Sequence, residues 1–328
     1  MQYRDLGRTG IRVSAVGFGA WAIGGASEAS GTPLGWGRTS DDDSLAAIRR
    51  ARDLGVNFFD TSDSYGFGRS ESLLGIVLAR QRPDVILATK VGVVRTSTGE
   101  LKKDFSRQHI LHAVDGSLKR LRTDYIDLYQ LHNPTLDDLR REEIQETMDR
   151  LQDAGKIRYW GVSVFTPEEG IEIIDNGWGY ALQVLYNILN QAPEKELFPL
   201  AKERGYGIIA RVPLASGLLT GKYRQDSVFR SDDIRQNFLT PRRLEEAMLR
   251  VDEVRSIVGP TERTMAEASL RFVLAHEAVS TTIPGAKNAR QVENNAAAAE
   301  GTLAPDVIER LRTRLGEYNF YQRHNILI

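Results

Sequence analysis

The chain has 328 residues, 41% of them hydrophobic and 27% charged, with 43 basic against 44 acidic side chains. A formal net charge of −1 gives no electrostatic reason to expect nucleic acid or an anionic membrane as a partner. Zero cysteines exclude disulfides, thiolate metal sites and cysteine nucleophiles, and suit a reducing compartment.

Taken in chain order, Tyr3–Leu6 and Ile11–Val13 flank Gly7-Arg8-Thr9-Gly10 and read as a short opening hairpin. Ala15–Phe18 is the first apolar strand, and the glycine-rich segment Ile23–Arg38 reads as a long loop. A helix starts at Asp41, with Leu45, Ile48, Ala51 and Leu54 at helical spacing and Gly55 as its stop. Strand Phe58–Asp60 follows. The alternation continues through helix Glu71–Arg80, strand Val85–Thr89, helix Gln108–Leu121 and strand Tyr125–Leu131. Helix Arg141–Ala154 leads to strand Tyr159–Ser163, and helix Pro167–Asn176 to strand Ala181–Tyr186. Helix Glu194–Arg204 leads to strand Gly207–Ala210. A long connection, Pro213–Pro241, precedes helices Arg242–Ile257 and Met265–His276. Strand Thr281–Ile283 and helices Ala289–Ala299 and Pro305–Gly316 complete the pattern.

Eight strand–helix units predict a closed (β/α)8 TIM barrel over 1–328, an α/β fold with an N-terminal hairpin and long loops at its C-terminal face. A doubly wound open sheet is disfavoured, because Gly17-Phe18-Gly19-Ala20-Trp21-Ala22 lacks the Gly-x-Gly-x-x-Gly turn. No run of about 18 apolar residues is present. Met1–Gly7 lacks the basic-then-apolar order of a signal peptide, so a cytoplasmic location is expected.

Three strands end abruptly in chemistry. Asn57-Phe58-Phe59-Asp60 emerges into Thr61-Ser62-Asp63-Ser64-Tyr65-Gly66, the third strand delivers Lys90, and the fourth delivers His132. In a parallel barrel such residues converge on one mouth. There Tyr65 can act as a general acid, its phenol pKa lowered by the Lys90 cation, which Asp60 keeps charged. His132 can offer a ring N–H to a substrate oxygen. Alone, each has a structural reading as a turn, cap or loop residue. Lys90 is hardest to dismiss, since a lysine closing an apolar strand must find an anion. The four in succession point to a proton-donating site that needs neither metal nor covalent nucleophile.

These residues, within Asp-Ser-Tyr-Gly, Ala-Thr-Lys and Gln-Leu-His-Asn, resemble the catalytic set of the aldo-keto reductase family. The opening hairpin, Gly-Lys-Ile-Arg-Tyr-Trp-Gly-Val-Ser at 155–163, the segment Pro213–Tyr223 and Pro284-Gly285-Ala286 through Asn295 carry the same resemblance along nearly the whole chain. Bacterial general-stress-type reductases and potassium-channel beta subunits look nearest. The resemblance implies NADPH-dependent reduction of aldehydes or ketones, the cofactor extended across the barrel mouth. A nicotinamide-sensing or partner-docking barrel is the alternative. It further implies that Gly19, Ala20, Trp21 and Asp60 lie near the nicotinamide and its ribose, and that Ser163 and Gln183 hold the carboxamide. Pro213, Leu214, Ser216, Gly217, Leu218 and Lys222 would follow the pyrophosphate. Gly285, Lys287, Gln291, Asn294 and Asn295 would surround the adenosine end. Two departures stand out. Val164 replaces the asparagine many members have after the serine, and Arg211 replaces an aromatic that stacks on the nicotinamide.

Overall fold

The computed structural model describes residues 1–261, 264–324 and 326. The apolar runs form eight parallel strands. They are β1 (Phe18–Gly19), β2 (Phe58–Asp60), β3 (Ile86–Val91), β4 (Ile126–His132), β5 (Ile157–Ser163), β6 (Ala181–Leu185), β7 (Gly207–Arg211) and β8 (Val279–Thr282). They hydrogen-bond in sequence order from β1 to β8. The sheet then curls on itself: Gly17 N–H donates to Thr282 O (2.8 Å), Thr282 N–H to Ala15 O (2.9 Å) and Gly19 N–H to Pro284 O (3.1 Å). The seam needs glycine at position 19, where a Cβ would lie 2.4 Å from the Ile283 carbonyl oxygen. Closure removes the sheet edges that an open form would expose.

Strands buried on both faces read as continuous apolar runs rather than alternating ones. The outward side chains Phe59, Leu87, Tyr129 and Leu131 join the large core shared with the helices. The inward ones, Phe58, Ala88, Leu128, Ala181 and Ile209, form a second cluster with Leu6, Ile11 and Val13 from the opening hairpin (Tyr3–Asp5 with Arg12–Ser14). That hairpin plugs the N-terminal end, where Arg4 donates to the carbonyls of Val279 (2.8 Å) and Leu274 (2.7 Å). Only the C-terminal end is left for chemistry.

Several boundaries differ from the sequence expectation for local reasons. The first strand pairs at Phe18–Gly19, with Val16 making an isolated parallel bridge to Thr282. The helix expected over Glu194–Arg204 is a 3-10 turn (Ala192–Glu194) and a helix (Leu197–Glu203). A hairpin absent from the expectation, Val93–Arg95 with Leu101–Lys103, turns at Thr96–Gly99. Helix Leu136–Leu139 is started by a capping box between Thr135 and Asp138, and Thr166 with Glu169 starts the helix Pro167–Asp175 in the same way. Inside the expected loop 23–38 a minimal hairpin pairs Glu28–Ala29 with Thr32–Pro33. Among the described residues no helix is long and apolar enough to cross a membrane.

Candidate active site

Parallel register places the strand-end residues in one layer. Gln130 pairs with Lys90, His132 with Ser163, and Ser163 with Gln183. Beyond β2 the backbone turns while staying tied to β3 through Thr61 N–H to Ala88 O (2.8 Å) and Asp63 N–H to Lys90 O (3.3 Å). Tyr65 is thereby brought within reach of Lys90 and into the cavity lining. Lys90, fully buried, donates from Nζ to Asp60 Oδ2 (2.6 Å), Thr61 O (2.9 Å) and Tyr65 Oη (3.3 Å). Asp60 Oδ1 accepts from Gln130 Nε2 (3.0 Å) and Gln183 Nε2 (2.7 Å). The Tyr65 ring stacks on Trp21 with centroids 5.7 Å apart and meets His132 edge-on at 6.0 Å.

Burial opposes the Lys90 charge, but Asp60 and the Tyr65 oxygen outweigh it and hold the ammonium above its ordinary range. For Tyr65 the balance runs against the sequence expectation. Burial raises the phenol further than Lys90 lowers it, so the net shift is upward. His132 is driven well below the ordinary imidazole range by burial and then by Lys90, Lys103 and Arg211. At neutral pH the site therefore holds a neutral imidazole, a protonated phenol and a lysine cation.

These groups stand at the floor of a cavity of about 610 Å³. Asp60, Tyr65 and His132 line it, and Lys90 lies behind them. Of the residues expected along a cofactor, Gly19, Trp21, Ser163, Gln183, Arg211, Pro213, Leu214, Ser216 and Gly217 line the wall. Lys222, Gly285, Lys287, Gln291, Asn294 and Asn295 do so as well. Ala20 and Leu218 do not. Both side chains are fully buried in the core, because the turns that expose their neighbours point them inward. The segment after β7 takes left-handed backbone at Val212, Ala215, Ser216 and Gly217, which folds it over the cavity as a kinked 3-10 turn. Ser216 Oγ is held 2.8 Å from Tyr321 Oη of the C-terminal segment.

Three cations gather along one arm of the cavity: Lys222, Lys287 and Arg235. Desolvation, Arg235 and Lys287 lower the Lys222 ammonium, while Lys287 is lowered by desolvation and by Arg235 and Arg230 despite Asp233. Lys287 Nζ is steadied by the carbonyls of Trp36 and Arg38. Arg235 bonds Asp233 and Tyr223 and lies over the Trp36 ring. Such mutual repulsion is relieved by an anion, so this arm fits phosphate groups. Arg290, by contrast, is exposed and does not line the cavity.

Arg211 closes β7 at 7% exposure and donates from Nη2 to Val164 O (2.9 Å). The two departures seen in the sequence thus meet, the Val164 carbonyl holding the guanidinium. Burial lowers Arg211 to about 10, which leaves it charged at neutral pH. Sequence reading missed Gln130, which shares Asp60 with Gln183, and Arg235, which sits in an irregular connection with no periodicity to mark it. It also missed the mouth residues Phe67, Val93 and Leu101. Gln130 alone carried a signal, as a polar residue two before His132 on the inward face of β4.

The family model described as "Aldo/keto reductase family" matches residues 15–314. This chain belongs to that family. Aldo-keto reductase YhdN of Bacillus subtilis is 35% identical over 300 residues, covering 89% of this chain and 87% of the relative. Among solved structures, the holo form of aldo-keto reductase AKR11C1 from Bacillus halodurans superposes with a TM-score of 0.79 at 32% identity, covering 99% of both chains. An aldo/keto reductase from Klebsiella pneumoniae, solved in complex with NADP and acetate, has a TM-score of 0.71 at 25% identity and 95% coverage of both chains.

Proposed function

We propose that this protein reduces aldehyde or ketone carbonyls with NADPH, with Tyr65 as the proton donor. The observation that carries the reading is Lys90 Nζ set between Asp60 Oδ2 and Tyr65 Oη, beside a neutral His132, at a cavity also lined by the cations Lys222, Arg235 and Lys287. Lys222, Arg235 and Lys287 would hold the phosphates of NADPH, and Trp21, Ser163, Gln183 and Arg211 would surround its nicotinamide, the source of the hydride. The Klebsiella relative, solved with NADP, supports this assignment. As negative charge develops on the substrate oxygen, a His132 N–H stabilises it and the Tyr65 hydroxyl gives up its proton. Lys90 stabilises the phenolate left behind, and Asp60 keeps Lys90 charged. The test is a panel of carbonyl compounds with NADPH and with NADH, followed by loss of the reduced nicotinamide. Tight NADPH binding without turnover of any carbonyl would overturn the reading.

NADPH should be preferred over NADH through Lys287. A charge-assisted hydrogen bond to the 2′-phosphate is worth roughly 1.5–3 kcal/mol. Lys287→Ala should then weaken NADPH by about ten- to a hundredfold and leave NADH nearly unchanged, measured as Kd by fluorescence titration. Equal weakening of both would place Lys287 away from that phosphate.

Arg211 lies where the family resemblance implies, for many members, an aromatic ring stacked on the nicotinamide. A guanidinium against the nicotinamide favours the neutral reduced ring over the cationic oxidised one. Unit charges at about 4 Å in an effective dielectric near 20 interact by up to roughly 4 kcal/mol, and Asp60 offsets part of this. Arg211→Tyr should therefore tighten NADP⁺ more than NADPH. An unchanged ratio of the two dissociation constants would show that Arg211 does not face the ring.

A further inference from the structure

The turn that carries Tyr65 also reaches His132. Ser62 Oγ lies 3.3 Å from His132 Nδ1, 3.2 Å from Asp63 Oδ1 and 2.9 Å from Ser64 Oγ, and it accepts the Ser64 N–H at 3.2 Å. Among the described residues Ser62 is the one hydrogen-bonding partner of Nδ1. His132 is itself neutral, so one ring nitrogen carries a hydrogen and the other a lone pair. Its backbone is pinned, since Lys103 Nζ donates to the His132 carbonyl. With Nδ1 on Ser62, Nε2 is the nitrogen left for the cavity.

We propose that Ser62 is a positioning residue that sets which nitrogen of His132 bears the hydrogen, and that Asp63 competes with His132 for the Ser62 hydroxyl hydrogen. The functional consequence rests on the carbonyl-reductase reading above. A serine hydroxyl has one hydrogen and two acceptor positions, too few for all four contacts at once, and two arrangements compete. In the first, Ser62 donates to Nδ1 and accepts from the Ser64 N–H and O–H. Nε2 then carries the hydrogen and can donate to a carbonyl oxygen. In the second, Ser62 donates to Asp63 and accepts from Ser64 N–H and from Nδ1–H. Nε2 then presents a lone pair to that same oxygen, which it repels.

The state of Asp63 decides between them. An ionised carboxylate draws the Ser62 hydrogen, whereas a protonated one releases it. Burial and the neighbouring Glu71 raise Asp63 to about 7, against the opposing pull of Arg120 and of hydrogen bonds from Ser62 and Ser64. Lys103 and Tyr129 also face Asp63, and Lys90, Lys103 and Arg211 face His132. The sign follows. Asp63 is protonated below its own pKa, which favours the donating Nε2–H form, and carbonyl reduction weakens as pH rises through it.

The experiment uses the full chain labelled with ¹⁵N-histidine, His132 being assigned by comparison with His132→Gln. The ring-nitrogen shifts are followed across the titration of Asp63, alongside kcat for reduction. In the native protein His132 should pass from Nε2–H to Nδ1–H as pH rises, and kcat should fall with it. Asp63→Asn should hold Nε2–H at every pH and flatten the kcat profile. Ser62→Ala should abolish the pH response of the ring. It should also lower kcat on the order of tenfold, less than the ~10²–10³ lost when an oxyanion donor is removed outright. A tautomer that ignores pH in the native protein, or a response that survives in Ser62→Ala, would overturn the proposal. A ring that switches as described in a protein that reduces no carbonyl would sink the functional reading and leave the positioning role intact.

Discussion

Tyr65→Phe is expected to lower carbonyl turnover by about 10²–10⁴-fold, the range general acid catalysis supplies, while NADPH binds almost as before. The substitution removes one oxygen and keeps the ring, so the stack on Trp21 and the edge contact with His132 persist. Lys90 retains Asp60 and the Thr61 carbonyl as partners, so its charge stays satisfied. The upward shift of the phenol sharpens the expectation. A hydroxyl that stays protonated across the neutral range remains a competent donor, and loss of reduction below the ordinary tyrosine range must come from another group. Single-turnover kinetics with pre-bound NADPH separate the chemical step from release. Retention of more than about a tenth of the native single-turnover rate would assign the proton to another residue.

The barrel was legible because its signal is periodic. Apolar runs of strand length, each closed by a polar residue or a glycine, alternate with helices whose starts carry Ser or Thr caps, as at Ser40, Ser106 and Thr166. The strand-end residues were legible as a set. Alone, an aspartate or a histidine there reads as a cap or loop residue. With a lysine closing a buried run, the succession on strands two, three and four stands out. What stayed hidden has no period. Arg235 sits in an irregular stretch between 213 and 241, and only folding brings it beside Lys222 and Lys287. The hairpin Val93–Lys103 is short and half exposed, so its alternation is too brief to read. The sign of the Tyr65 shift could not be read at all, since it depends on how burial compares with one neighbouring charge. Ser62 was equally silent: a serine in a turn acquires a role only when β4 brings His132 within reach.

Lys90→Met is expected to cost about 3–5 kcal/mol of stability, the usual effect of removing one partner from a buried ion pair, and to suppress turnover as well. Asp60 is 2% exposed, and among the described residues its Oδ2 has Lys90 as its hydrogen-bonding partner. The donors Gln130 and Gln183 both serve Oδ1 and cannot neutralise a charge. The carboxylate left behind must take up a proton or admit water, either of which disfavours the folded state. A loss of this size consumes a large part of the roughly 5–15 kcal/mol that holds a typical domain together. Urea unfolding at neutral pH measures it directly. The double variant Asp60→Asn/Lys90→Met separates the two functions of the pair. Without a buried charge to strand, it should regain most of the lost stability, because a neutral replacement of a buried pair is often harmless. Turnover should stay low, since the cation hydrogen-bonded to Tyr65 is gone. A single variant within about 1 kcal/mol of the native protein would show that Asp60 does not depend on Lys90. A double variant that regains both stability and turnover would remove the cation from the mechanism.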